Sequence, residues 1–400
     1  MLKALPKNVW ILATCQSLMI SCSSLVVFAG SIIGVALAPS EELSTLPIGA
    51  MVIGTALFAL PVTLLTNRFG RKNIFITVST LSMGIFILIA FSLRLEAFYL
   101  FCSSLLLLGL PIATIQQFRF AAMESVDVEL RPKAASVVLF GGIIAVFIGT
   151  EVALLGKDLF RVEYVGSFLM LAFIYFFATI LLFKFQNPIV EKAEEKQSGR
   201  SLLEIAKQPV FWIAVLSAVL GFAIMTFIMT ATPISMHAIS GYSLEDTKRV
   251  IQSHVVAMFL PSLFAGWLIS KYGYARIIIA GLVMYVLSII AAVSGFEFVN
   301  YWVALVLLGI GWNFLFISGT TLLPSSYEEN ERYKVQAVND FLIFSGRAAV
   351  ALSAGWFVYK WGWVDMLLGT IPFILIIFGA VVAWSIKDIQ VLLTRFFKSE

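Results

Sequence analysis

The stretch Thr63-Leu64-Leu65-Thr66-Asn67-Arg68-Phe69-Gly70-Arg71-Lys72 closes one long apolar run and opens the next. It has an echo further on: setting Arg68-Phe69-Gly70 against Lys271-Tyr272-Gly273 gives an offset of 203 in a chain of 400 residues. The same offset sets Arg131 on Lys334. A short basic loop recurring at half the chain length marks an internal duplication, with the two halves running in parallel.

Outward from that loop the chain is apolar. It is 60% hydrophobic and 12% charged, with a mean hydropathy of +0.98. At this length only lipid can solvate so much apolar surface. A helix of ~20 apolar residues crosses a bilayer core. Cutting the chain at charges, Pro and Gly gives spans at 8–37, 46–66, 73–92, 97–122, 133–156, 164–184, 209–236, 246–270, 275–295, 300–324, 336–359 and 363–385. The expected fold is therefore an all-α membrane protein: twelve transmembrane helices in two pseudo-symmetric six-helix bundles, 1–185 and 209–400, joined by a polar linker at 186–208.

Basic residues are retained on the cytoplasmic side of a membrane. One set of alternate loops, with both termini, holds nineteen of the 27 Lys and Arg; the other holds six, Lys248 and Arg249 among them; Arg119 and Arg347 fall inside spans. Both termini are expected in the cytoplasm of a multi-pass protein of a bacterial inner membrane. Lys3 and Lys7 lead into an apolar run to about Ala38, too long for a signal-peptide core, which is expected to stay as the first span. A net charge of +4 carries no nucleic-acid signature. Cys15, Cys22 and Cys102 lie in apolar runs without metal or redox spacing and are expected as small buried hydrophobes. No cofactor or metal site is expected, and no Walker-type loop offers ATP as an energy source.

The loop at Thr63 resembles the signature between spans two and three of the major facilitator superfamily, Gly-x-x-x-Asp-Arg-x-Gly-Arg-Arg/Lys. Arg68, Gly70, Arg71 and Lys72 match; Thr63 stands for the Gly and Asn67 for the Asp. The resemblance implies a cytoplasmic gate in which Arg71 pairs with Glu124 or Asp127 in one state and releases it in the other. It also implies a monomeric secondary transporter of small molecules. The strings Gln116-Gln117-Phe118-Arg119-Phe120-Ala121-Ala122, Gly149-Thr150-Glu151, Gly311-Trp312-Asn313-Phe314 and Gln336-Ala337-Val338-Asn339-Asp340-Phe341 resemble a bacterial branch of the superfamily that includes riboflavin carriers. Gly149-Thr150 replaces the Gly-Pro of antiporters, which speaks against antiport.

Ionisable groups inside a membrane are costly and face a cavity or a partner. On span four, Gln116, Arg119 and Phe120 share a helical face, where Arg119 either contacts an anionic solute or braces the gate. On span eleven, Asp340, Phe344 and Arg347 share another, and Arg347 falls near the midplane, suited to grip a carboxylate or phosphate or to pair with an acid of another helix. Glu151 and His254, brought near each other by the fold the resemblance implies, and Asp340 are the candidates for proton coupling, Glu151 through a carboxyl affinity raised by burial. Trp312 and Asn313 in span ten suit a planar, hydrogen-bonding solute. The expected function is proton-coupled secondary transport of a small organic solute, anionic or planar aromatic, by alternating access. Its rivals are multidrug export on the same fold, an integral-membrane enzyme, and a sensor that binds without moving its solute.

Overall fold

The computed structural model describes residues 5–127, 130–187, 199–328 and 331–396, and the regular structure among them is helical. Span one is Lys7–Leu37, span two Glu41–Thr66, span three Arg71–Arg94, span four Phe98–Glu124, span five Val137–Lys157 and span six Val165–Phe183. Span seven is Pro209–Ile239, span nine Tyr274–Val293, span ten Phe298–Ser326, span eleven Lys334–Lys360 and span twelve Gly362–Ser385. Span eight is a bent pair, Leu244–Phe259 and Ser262–Tyr272, with 43° between them. Counting that pair as one gives twelve candidate crossings among the described residues, each where the apolar runs put it.

Proline and close contacts shape the spans locally. Pro261 stands in the bend of span eight, where a missing N–H and a bulky ring interrupt the helical ladder. Pro233 ends the regular helix Pro209–Pro233 of span seven, which continues as one wide π-helical stretch, Ile234–Ile239. Span four is broken at Gln116-Gln117, between Phe98–Ile115 and Phe118–Glu124. Lipid supplies little drive for helices to associate, so close backbone approach through small residues does that work. A Cβ on Gly109 would lie 2.2 Å from the carbonyl carbon of Gly54, which seats span four on span two. A Cβ on Gly309 would lie 2.7 Å from the oxygen of His254, seating span ten on span eight in the same manner.

The duplication seen in the sequence is a duplicated backbone corner. Gly70 has φ 82° and ψ 151°, and Gly273 has φ 81° and ψ 161°. A side chain pays about 1–2 kcal/mol in the left-handed region, so both corners call for glycine.

The packing forms two units. One holds Met1–Ala193, Thr230–Gln252 and Ala351–Lys360; the other holds Glu194–Met229, Ser253–Val350 and Trp361–Glu400. The cut after Ala193 falls inside the expected linker, of which 188–198 lies outside the described residues. The ends of spans seven, eight and eleven are built into the first unit, unlike the simple division at 185 and 209. Contacts within that unit give the reason: Thr45 Oγ1 donates to the Leu352 carbonyl at 3.3 Å and accepts from the Gly355 N–H at 3.0 Å. Gly49 leaves room for Leu352, whose Cδ2 would come within 2.4 Å of a Cβ there. The three cysteines are free and buried, as expected.

Candidate functional site

The corner at Gly70 sets Arg71 at the head of span three, and the short helix Phe118–Glu124 brings span four's end beside it. Arg71 donates Nε to Glu124 Oε2 at 2.6 Å and Nη2 to Oε1 at 2.5 Å, a fork-to-fork pair, while Nη1 reaches Gln117 Oε1 at 3.3 Å. Gln117 Nε2 donates to Thr63 Oγ1 at 3.2 Å, and Thr63 donates on to the Ala59 carbonyl at 2.9 Å. Glu124 is thus the acid that forks onto Arg71, and Asp127 is exposed beyond it. Thr63, the departure from the signature's Gly, has its own partner here. Gln117 was not foreseen, although the Gln116-Gln117 doublet two turns before Glu124 was the available signal. The side chain of Asn67 lies outside the described residues, and Arg68 is exposed with its guanidinium carbon 5.3 Å from the centre of the Phe69 ring. Gly70 also admits Asn187, whose Oδ1 accepts from the Lys72 N–H at 2.8 Å and whose Nδ2 a Cβ would approach to 2.9 Å.

The second unit holds its own clamp. Glu331, fully buried, accepts from Arg200 through the backbone N–H at 2.6 Å, Nε at 3.0 Å and Nη2 at 2.7 Å, and from the Glu328 N–H at 2.9 Å. Lys334 donates to the Arg200 carbonyl, and Gln208 Nε2 to the Ser326 carbonyl at 2.8 Å. The Arg200 hydrogen bonds hold the Glu331 carboxyl down from 4.5 to about 2. A carboxylate held low in the folded state contributes stability above its ordinary value and loses it as the pH falls towards the depressed one. The melting temperature of Glu331→Gln should therefore lie below the parent's at neutral pH, and the gap should close as the pH drops from 4.5 towards 2. A gap that stays constant with pH would remove Glu331 as its source.

At the opposite end of the first bundle, Thr150 and Glu151 of span five face two residues one turn apart on span eight. Gln252 Nε2 donates to Thr150 Oγ1 at 2.7 Å, and Lys248 Nζ donates to Glu151 Oε1 at 2.8 Å. Lys248 also meets Glu245 Oε2 at 2.9 Å. Two expectations are corrected. Charge counting took Lys248 with the loops although the expected span 246–270 contains it; it lies in the helix Leu244–Phe259 with its side chain only 8% exposed. Glu151 was expected as a buried acid near His254, yet its side chain is 50% exposed and carries the Lys248 ammonium as partner. His254 is fully buried, with Nδ1 2.6 Å from the Leu305 carbonyl oxygen, a polar contact to the backbone of span ten.

In the second unit, spans seven, ten and eleven bring an aromatic group around one cation. Phe316 stacks on Trp312 with centroids 5.0 Å apart and 11° between planes. Phe222 meets Trp312 and Phe316 edge-on at 5.0 and 5.3 Å. Arg347, the middle residue of Lys334–Lys360, holds its guanidinium carbon 4.1 Å from the centre of Phe222 and 5.9 Å from that of Phe344. Its Nε is buried with no described acceptor. Trp312 Nε1 and Thr226 Oγ1 are likewise buried with no described partner. Asp340, on the same span, is exposed and accepts from Asn339 Nδ2 at 3.4 Å.

The model of the Major Facilitator Superfamily matches residues 9–261 of this sequence. The chain belongs to the major facilitator superfamily. A riboflavin transporter of Brucella anthropi is 34% identical over 360 residues, covering 89% of this chain and 90% of that one. An uncharacterised transporter of the same type from Bacillus subtilis is 30% identical over 390 residues, covering 90% and 88%. Among solved structures, a bacterial homologue of the human lysosomal transporter Spinster superposes with a TM-score of 0.75 at 13% identity, covering 94% and 96%. A nucleoside transporter does so at 0.72 and 16%, covering 95% and 99%. At those identities the solved structures speak for the fold alone.

Within this superfamily member the expected solute residues fall into two groups. Trp312, Phe344 and Arg347 come together in the second unit, with Phe222 and Phe316 as rings the sequence reading missed; Trp312 is 5% exposed and backs the group. Asn313 is fully buried, and Nδ2 donates to the Met258 carbonyl and to Ser262 Oγ, each at 2.6 Å, while Oδ1 is buried with no described partner. It braces the bend at Pro261, where polar groups at the break recruit the amide. In the first unit, Gln116 stands in the break of span four, and Arg119 lies 4.8 Å from the centre of Phe120.

Proposed function

We propose that this transporter carries a planar aromatic metabolite of the flavin class across a bacterial inner membrane, by rocking of the halves 1–185 and 209–400 about a midplane site. The observation that carries this reading is the ring cluster of Phe222, Trp312 and Phe316 with Arg347 at the centre of span eleven. A cation among rings at mid-membrane depth is costly unless the solute uses it. Likeness to a riboflavin transporter agrees with that solute class. The basic bias puts both termini in the cytoplasm, and taking Lys248 out of the loops widens it. The Arg71 end is then the cytoplasmic gate and the Lys248 end the outer one. Proton coupling belongs to this reading, with Glu151 taking a proton as it leaves Lys248.

The test is uptake of riboflavin into proteoliposomes, with and without an imposed pH gradient. Saturable uptake is expected, accelerated by inward proton flow, with Glu151→Gln losing the acceleration. Binding without uptake would make the protein a sensor. Efflux of unrelated dyes with no flavin uptake would favour the drug exporter, and gradient dependence surviving in Glu151→Gln would remove that carboxylate from coupling.

A further inference from the structure

The geometry points to Arg347 as the residue that reads the hydrogen-bond-acceptor edge of a planar ring, in preference to a carboxylate or phosphate on a flexible tail. This rests on the flavin-class reading above and deepens it.

Three observations converge. The guanidinium lies 4.1 Å from the centre of Phe222 and 5.9 Å from that of Phe344, so rings of spans seven and eleven steady it. A guanidinium donates only in its own plane, so rings beside it leave an in-plane fork of N–H groups as its means of recognition. Arg347 Nε, Trp312 Nε1 and Thr226 Oγ1 are all buried with no described partner, and the first two can only donate. Thr226 stands one helical turn from Phe222 on span seven, and span eleven packs there, a Cβ on Gly346 lying 3.4 Å from Val219 Cγ1. Buried donors are normally satisfied in native proteins, so a ligand that completes this group brings acceptors.

Charge selects among acceptors. A phosphate dianion at mid-membrane depth calls for more than one cation or a cradle of backbone N–H groups. In this ring cluster of the second unit the described cation is Arg347 alone. A neutral ring edge carrying a carbonyl oxygen beside an unprotonated ring nitrogen, as in an oxidised isoalloxazine, offers two adjacent acceptors at the spacing that a guanidinium fork can meet. Such a ring also brings a π-face to Phe222, Phe316 and Phe344, each of which is partly exposed.

The test measures equilibrium binding of riboflavin to the purified protein in detergent, with two competitors: lumiflavin, which has the same ring and a methyl group in place of the sugar-alcohol chain, and ribitol, which has the chain alone. Lumiflavin is expected to displace riboflavin and ribitol to leave it bound. Arg347→Lys, which keeps the charge and loses the planar fork, is expected to weaken riboflavin and lumiflavin alike, by about tenfold to a hundredfold, the range that hydrogen bonds to a charged group give. Phe222→Leu, an apolar exchange, is expected to weaken both in the same way, and it serves as the second variant should Arg347→Lys fail to show a parent-like melting transition. Parent-like affinity for both ring ligands in Arg347→Lys, or in Phe222→Leu where it replaces that variant, overturns the inference while leaving the flavin reading intact. So does displacement by ribitol and not by lumiflavin. A parent protein that binds neither flavin overturns the solute class itself.

Discussion

Glu124→Gln is expected to slow transport by about tenfold to a hundredfold while leaving the protein folded. The acid and Arg71 meet through two hydrogen bonds at 2.6 and 2.5 Å, with side chains 29% and 17% exposed. Breaking a fully buried pair from one side costs about 3–5 kcal/mol, and an exposed pair is worth about 0–1 kcal/mol. This pair lies between those limits, near about 1–3 kcal/mol. Spent on a two-state equilibrium, each 1.4 kcal/mol shifts the populations about tenfold, and a transporter cycling between two states slows when one of them is over-populated. Gln keeps the side chain's length and an acceptor for Arg71 but loses the charge, so the loss is of the latch and not of the packing. The check is initial uptake rate together with melting temperature, in Glu124→Gln, Arg71→Glu and the exchanged pair Arg71→Glu/Glu124→Arg. Recovery of rate in the exchanged pair, above both single variants, is the expected signature of a pair acting as a pair. Unchanged uptake in Glu124→Gln with a normal melting transition would leave the latch without a role in the rate. Gln117→Leu should cost less, since its contact with Arg71 is a single bond at 3.3 Å.

Much of the architecture was legible because the signals behind it are physical constraints that sequence alone can carry. A membrane admits a helix only as a long apolar run, so twelve crossings could be counted from composition. A backbone corner in the left-handed region calls for glycine, so Gly70 and Gly273 announced the duplicated loop before any coordinates. The pairing of Arg71 with an acid at the end of span four was legible through the resemblance of its loop to the superfamily signature, although choosing Glu124 over Asp127 needed the break at Gln116-Gln117. The residues proposed to meet the solute were harder. Phe222 and Phe316 are two among 35 phenylalanines, and nothing in their local spacing separates rings around a cation from rings facing lipid. Asn313 shows why: an amide in an apolar helix has two uses, solute recognition and repair of a broken ladder, and its Nδ2 serves the ladder at Pro261, 52 positions earlier, which its own neighbours do not announce. Lys248 misled for a related reason: near the end of a crossing a lysine can be a loop charge or a buried partner, and its acid, Glu151, lies 97 residues away.

Lys248→Met is expected to produce the other large effect, at the far gate and of opposite character. Its ammonium meets Glu151 at 2.8 Å and Glu245 at 2.9 Å, so one cation neutralises two carboxylates while itself only 8% exposed. Methionine matches the apolar stem of lysine and removes only the charge. What is left is two acids facing the same vacated point. Unit charges 4 Å apart interact by about 4 kcal/mol at an effective dielectric of 20, and both carboxylates are about half exposed, 50% and 47%, which screens the repulsion to about 1–2 kcal/mol. The Gln252 to Thr150 hydrogen bond at 2.7 Å, one turn along the same two helices, stays in place and limits the damage. The contact of spans five and eight should therefore loosen without unfolding the bundle, and a cysteine introduced at this end should react with a membrane-impermeant thiol reagent about ten times faster than in the parent. The double variant Lys248→Met/Glu151→Gln removes one of the facing charges and should return most of the protection, since the repulsion is what opens the gate. High salt should narrow the difference between Lys248→Met and the parent as well. If labelling in Lys248→Met matches the parent, or if the double variant is labelled faster than the single, then the ion pair does not hold this end closed and the Thr45 contacts to Leu352 and Gly355 carry the gate by themselves.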